Sequence, residues 1–490
     1  MDYANRGALV NGSRMRGRMG PLVMVVVLAA AMVLIPLAGL AQAQTATPAA
    51  GGTPNATPAA SGATPVARPS DDQLRKAGVN ELGVVPVLMY HTFTSDPANV
   101  SDWTRTFGGF RDQLQQLYDL GFTTISMRDF LDNRIDVPLG RHPIVLTFDD
   151  SSASQFLIDR NPDGSITPRA NSAVGVLEDF FAAHPDFGHS AFFAVVPNYC
   201  FADADIDETN AYSSCQDKLD WLAAHGYEIG NHTVDHKDLS TVDVEGFLEE
   251  VGGTAEWIDQ RVKGPANLSG VLVLPYGGRP APGSAVDKVM NGWFRYDGVD
   301  YYLDAIVDVS GGPMYSPSST WFDFGRITRI NSDPASFDYL TSAVASGQML
   351  IYTSDGNPDT VTVPNPVPDF LANEFDAAAI QADGKTLVRY DAGDATTTAS
   401  ASSANPGGAP ATPPAGVPLA VGGTAETIDT GVRLRDAPGT EGTILEELDT
   451  GARVTIVDGP RTVDGETWWE VKTGDGATGW VVADYLRGTS

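Results

Sequence analysis

Ile144-Val145-Leu146-Thr147-Phe148-Asp149-Asp150-Ser151 carries an aliphatic run straight into a pair of adjacent carboxylates. A strand buried on both faces looks like this when it delivers acids to the rim of a sheet. Neighbouring strand residues point to opposite faces, so Asp149 and Asp150 can serve one site only if the strand has just ended. Taken alone, the pair equally describes a solvated acidic turn. A second stretch downstream, Asn231-His232-Thr233-Val234-Asp235-His236, argues for chemistry instead.

Around these two stretches, apolar strand-like runs alternate with helical spacing. Val84 to Tyr90 leads into His91. Phe107 to Leu120 sets Phe110, Leu114, Leu117 and Tyr118 on one side. Phe122 to Ile125 reads as a short strand, Met127 to Leu131 as a helical turn, and Ser172 to Ala183 as a helix. Ala191 to Val196 reads as a strand, Lys218 to His225 as a helix, and Glu228 to Gly230 as a strand feeding His232. Ser240-x-x-Asp243 is the expected cap of a helix running to about Val262, and Val271 to Leu274 is a strand ending in Pro275-Tyr276-Gly277. The alternation predicts an α/β fold, a parallel sheet or a barrel, with each chemically suggestive residue at the C-terminal end of a strand, where such barrels carry their active sites.

The chain has 31 basic against 62 acidic residues, a net charge of −31. A phosphate-binding surface needs concentrated Lys and Arg, so nucleic acid is not an expected partner. Residues 1–43 place Arg6, Arg14, Arg16 and Arg18 ahead of an apolar run over 21–41 that ends in Ala41-Gln42-Ala43. This is an export signal or, left uncut, a membrane anchor, and either places the rest outside the cytoplasm. In that compartment Cys200 and Cys215 are candidates for a disulfide, the alternative being two unpaired thiols. Residues 44–79 and 393–420 are rich in Ala, Thr, Pro and Gly and read as tethers either side of a domain over 80–392.

His232 and His236 stand four apart, so on a helical turn or in a tight loop both rings can face one cation. Thr233 occupies the place where a zinc protease needs Glu, which argues against that class. With Asp150 added, two imidazoles and a carboxylate suit a catalytic divalent metal with positions left open for water and substrate.

Thr147-Phe148-Asp149-Asp150 and His232-Thr233-Val234-Asp235-His236 resemble the first two motifs of the polysaccharide deacetylases, the NodB-homology carbohydrate esterases. The resemblance implies a distorted (β/α) barrel that removes N-acetyl groups from a cell-envelope or extracellular polysaccharide. It implies Asp149 as general base and Asp150, His232 and His236 as ligands of a metal, usually Zn2+. The third motif departs: Val273-Leu274-Pro275-Tyr276 keeps Pro275 and Tyr276, whose backbone N–H would serve the oxyanion, but lacks the arginine that positions the base. The His expected near the end of the domain is also missing, since none follows His236. Val87-Leu88-Met89-Tyr90-His91 resembles the poly-N-acetylglucosamine deacetylase branch, in which the acid His sits on the first strand, and this implies His91 as general acid. The missing arginine leaves open a catalytically impaired glycan-binding protein.

Residues 421–490 hold short strand-like runs, Val432 to Arg435, Arg453 to Val457, Trp468 to Val471 and Gly479 to Val482, between Gly-rich turns. These predict a small all-β barrel. The segment is similar to bacterial SH3 domains, which implies a hold on cell-wall glycan or peptide. At least one of Trp468, Trp469 and Trp480 is expected in its core.

Overall fold

The structure is a computed structural model, describing residues 68–202, 214–368, 371, 375–392 and, with short gaps, 421–489. The export or anchor segment and both tethers' low-complexity stretches lie outside these residues; no described helix is long and apolar enough to cross a membrane. The chain divides into two compact units on either side of Gly393.

The first unit is built on β1 (Val87–Tyr90), β2 (Phe122–Thr124), β3 (His142–Phe148), β4 (Phe192–Val195), β5 (Glu228–Asn231), β6 (Asn267–Val273), β7 (Ala305–Gly311) and β8 (Ile327–Asn331). All pair in parallel in the order β1-β8-β7-β6-β5-β4-β3-β2, and β1 also pairs with β3. That pairing closes seven strands into a barrel and leaves β2 beside β3 as an eighth, outer strand.

Alternation explains why the strands are apolar throughout. Val87, Val145, Phe192, Val271, Val273, Val307 and Ile327 pack together in the barrel interior. Their neighbours Leu88, Tyr90, Leu146, Phe148, Phe193, Val195 and Ile229 turn outward onto α1 (Phe107–Asp119) and α2 (Ala173–Ala183). At β5 the interior position is Gly230, because a Cβ there would lie 2.2 Å from Phe192 Cζ.

Several elements depart from the sequence reading. The helix Asp71–Ala77, capped by Ser70, falls inside the stretch read as a tether and buries Leu74, so the folded unit begins before residue 80. Asp243, not Ser240, caps the helix after the second motif: its side chain accepts the Gly246 N–H, while Ser240 donates to Asp238. That helix is also not continuous. A π-helical turn, Leu248–Gly252, separates Val244–Phe247 from α3 (Gly253–Arg261). Barrel strands β7 and β8 were not read from the sequence at all.

At the far edge, a parallel ladder joins Thr360–Asn365 to Thr386–Asp391. Glu81 ties it to the barrel, accepting N–H bonds from Asp355 at 3.0 Å and Thr362 at 2.7 Å. Burial, aided by the nearby Asp355 charge, pushes the Glu81 carboxyl up to about 8.

The second unit is an antiparallel seven-stranded sheet of β9 (Thr424–Thr427), β10 (Val432–Arg435), β11 (Ile444–Leu448), β12 (Arg453–Val463), β13 (Glu466–Thr473), β14 (Thr478–Val482) and β15 (Leu486–Thr489), in the order β11-β10-β14-β13-β12-β9-β15. Leu434, Ile456, Trp469, Val471 and Val481 form its core. Trp468 and Trp480 are buried as well, with the Arg461 guanidinium 4.5 Å from the Trp480 ring centre.

Candidate metal centre

Register brings the first two candidates together. Tyr90 of β1 pairs with Phe148 of β3, so the next residues, His91 and Asp149, emerge side by side at the barrel mouth. Asp149 N–H donates to the Tyr90 carbonyl at 2.9 Å, and His91 Nε2 lies 3.8 Å from Asp149 Oδ2. The His91 backbone is held from below, since Gln155 Nε2 donates to its carbonyl at 2.6 Å. The half-exposed Trp103 stands edge-on to the imidazole at 4.8 Å. Burial pulls the His91 pKa below its ordinary value, although Asp149 and Asp150 pull the other way.

Asp149 continues the interior face of Val145 and Thr147, and so points into the barrel. There it meets Arg329 of β8, whose side chain has no exposed surface. Arg329 Nη1 donates to Oδ1 and Nη2 to Oδ2, both at 2.7 Å, and Nη1 also donates to Thr147 Oγ1 at 3.0 Å. Arg329 Nε donates to the Asp308 carbonyl at 2.6 Å, which fixes the plane of the fork. Burial alone would raise the Asp149 pKa, but the guanidinium, with His232 and His91 beside it, outweighs burial and holds the carboxyl below its usual range.

Asp150 would point outward if the strand ran on. Instead it takes φ +73 and Ser151 φ +47, and the chain turns at once. Asp150 Oδ1 thereby comes within 3.3 Å of His232 Nε2 and 3.1 Å of His236 Nε2. The two imidazoles outweigh burial and keep this carboxylate far below its usual pKa. The histidines come from a loop rather than a helical turn, with Thr233 at φ +63 and His236 at φ +56. Of the nine non-glycine residues with positive φ among those described, Asp150, Ser151, Thr233, His236 and Tyr276 lie here. Each costs of order 1–3 kcal/mol, strain of the kind that collects at functional sites.

These three side chains are a fit for a metal ion. Their ligand atoms all lie within 4.8 Å of one another. His232 Nδ1–H donates to the Val273 carbonyl at 2.9 Å, which fixes the ring and turns Nε2 toward Asp150. That Nε2 and Asp150 Oδ1 are both buried without a hydrogen-bond partner. An imidazole nitrogen facing a carboxylate oxygen in a buried place is costly unless a proton or a cation stands between them, and a metal ion held by all three groups meets that need.

Tyr276 borders the same mouth, its ring 4.6 Å from that of His236 and 71% exposed, at φ +57 in the turn that follows β6. Pro275 is buried and opens that turn. Cys200 and Cys215 are disulfide-bonded. The bond lies next to the site's support, because Phe201 N–H donates to the Ser151 carbonyl at 2.7 Å.

Sequence reasoning missed Arg329. The available signal was a charged residue inside Ile327-Thr328-Arg329-Ile330, an apolar strand pattern in a chain with few basic residues. Such a residue is buried only if paired.

Residues 136–288 match the family model of the polysaccharide deacetylases, and residues 430–487 match that of the bacterial SH3 domain. No curated protein matches the chain. Among solved structures, BA0330 of Bacillus anthracis, assigned as a polysaccharide deacetylase, is 18% identical with a TM-score of 0.35 over 51% of this chain and 64% of its own. The deacetylase PplD of Streptococcus pyogenes, in complex with acetate, is 18% identical with a TM-score of 0.36, over 54% of this chain and 99% of its own. IcaB from Ammonifex degensii is 15% identical with a TM-score of 0.34, over 54% of this chain and 97% of its own. The chain therefore spans less than two thirds of the Bacillus anthracis protein. The resemblances to the polysaccharide deacetylases and to the bacterial SH3 domains are each met by a family model, one within each unit.

Proposed function

We propose that the barrel is a metal-dependent N-deacetylase acting on an N-acetylated polysaccharide outside the cytoplasm, and that the SH3 unit holds it on cell-wall glycan or peptide. The observation that carries this reading is the convergence of Asp150, His232 and His236 beside an Asp149 gripped by Arg329. A divalent cation held by those three, zinc by the nature of the donor set, would supply Lewis acidity toward the acetamide carbonyl and water. Asp149 takes the proton of the attacking water. Arg329 fixes the orientation of that carboxylate and keeps it ionised. The Tyr276 N–H donates to the carbonyl oxygen as it becomes anionic. His91 gives a proton to the amine as the C–N bond breaks, and acetate and a free amino sugar leave.

The alternative of an impaired glycan-binding protein rested on the lost third-motif arginine. Arg329 makes a bidentate contact to the same carboxylate from another strand, which favours catalysis.

The test is acetate release from chitin-like, peptidoglycan and poly-N-acetylglucosamine oligomers, with and without chelator. We expect release from at least one, its loss on chelation and its return with Zn2+. Asp149→Asn and His91→Ala should each abolish release while the protein still takes up metal. Wild-type turnover in both variants, or release indifferent to chelator, contradicts the reading.

A further inference from the structure

The two histidine ligands sit on a loop with two left-handed residues, a conformation a short polypeptide does not hold unaided. What holds it is the π-helical turn Leu248–Gly252. Glu250, 2% exposed, reaches from this turn under the loop. Its Oε2 accepts the Asp235 N–H at 2.9 Å, and its Oε1 pairs with Lys237 Nζ at 2.7 Å. Asp235 and Lys237 flank His236 on both sides, so one carboxylate clamps the second ligand through its chain neighbours.

The first ligand is held from the same turn. Widening from i→i+4 to i→i+5 spacing leaves carbonyls for side-chain donors. The Val251 carbonyl accepts Asn231 Nδ2 at 2.8 Å, and the Glu250 carbonyl accepts Thr254 Oγ1 at 2.8 Å. Asn231 in turn accepts the Thr233 N–H at 3.0 Å, closing a bracket around His232. Two glycines let the turn come this close: a Cβ on Gly252 would lie 2.7 Å from Tyr296, and one on Gly253 would lie 3.2 Å from Val234 of the loop.

We infer that Glu250 is a positioning residue for the metal centre, and that the π-helical turn exists to present it and the Val251 carbonyl to the His232–His236 loop. Glu250 acts on the ligands through their chain neighbours, the Asp235 N–H and the Lys237 ammonium. The inference rests on the metal-site reading above. It adds a residue outside the three ligands whose loss moves them apart.

The test titrates chelator-stripped full-length protein with Zn2+ by calorimetry, and with Co2+ followed by visible absorption. Wild-type protein decides the underlying reading first, because absence of saturable one-to-one uptake defeats the metal site itself. With uptake established, Glu250→Ala is expected to weaken Zn2+ binding ~10–100-fold, the usual cost of removing an outer-shell support. The bound Co2+ spectrum should change shape, which a loss of global stability alone would not cause below the melting temperature. Glu250→Gln keeps an oxygen for the Asp235 N–H but loses the Lys237 ion pair, and should fall between the two. It carries the test if Glu250→Ala does not fold. A wild-type Kd and Co2+ spectrum in the folded variants overturns the inference.

Discussion

Asp149 shows how one charge is made useful by another. A buried carboxylate left alone takes up a proton, and a protonated Asp149 could not take a proton from water. Arg329 reverses this at the cost of burying a second charge, which the two-point fork and the bond to the Asp308 carbonyl offset. Arg329→Met removes the strongest counter-charge and leaves burial opposed mainly by the neighbouring histidines, so the Asp149 pKa should rise. The acid limb of the kcat/KM profile should then move to higher pH, together with a stability loss of about 3–5 kcal/mol for a broken buried pair. A pH–rate profile and a denaturant melt check both. An acid limb that stays in place would detach Arg329 from the working carboxylate.

Among the elements, the ladder Thr360–Asn365 with Thr386–Asp391 is held in part by a buried acid, Glu81, on the segment that leads into β1. Its pKa, raised from 4.5 to about 8, makes the attachment sensitive to pH. Between those values the folded state holds a proton that the unfolded chain has released. The stabilisation is therefore complete below 4.5 and is lost as pH rises through about 8, with a slope of up to about 1.4 kcal/mol per pH unit. Melting temperatures measured from pH 5 to 8 should fall in the wild type. In Glu81→Gln that decline should flatten, whatever the absolute value of its Tm. An equal slope in both proteins would place the titrating group elsewhere.

At the scale of the whole molecule, the two units have separate cores. Among the described residues, the side chains named at the barrel mouth, from His91 to Arg329, all belong to the first unit. Deleting residues 418–490 should therefore leave acetate release from soluble oligomers intact and abolish retention on cell walls, as measured by turnover and by sedimentation with purified walls. Loss of turnover on soluble oligomers would mean that the SH3 unit contributes to the site. The surplus of acidic over basic residues, 62 to 31, is compatible with the neutral or cationic polymer proposed as substrate.

Most strands of the barrel and its helices from Phe107 to Arg261, though not Ala285–Met290 and Pro334–Ala345, could be read locally, since a strand buried on both faces must be apolar along its length. Ile144 to Phe148 and Ala191 to Val196 announce themselves that way. Strand β7 escaped because Asp308, at its centre, and Gly311, at its end, break the apolar run, and β8 because Thr328 and Arg329 separate its two isoleucines. The π-helical turn escaped because helical periodicity does not register one extra residue. Unaided, the sequence determined the alternating α/β order, the small β unit, and the residue types able to hold a cation and move a proton. Only the tertiary structure decided that Asp150 turns back beside its neighbour, that the histidines ride a strained loop, and that Arg329 grips Asp149. The reason is physical: local pattern records which face a residue buries, whereas the partner of a buried charge is set by barrel closure, which joins positions 180 residues apart.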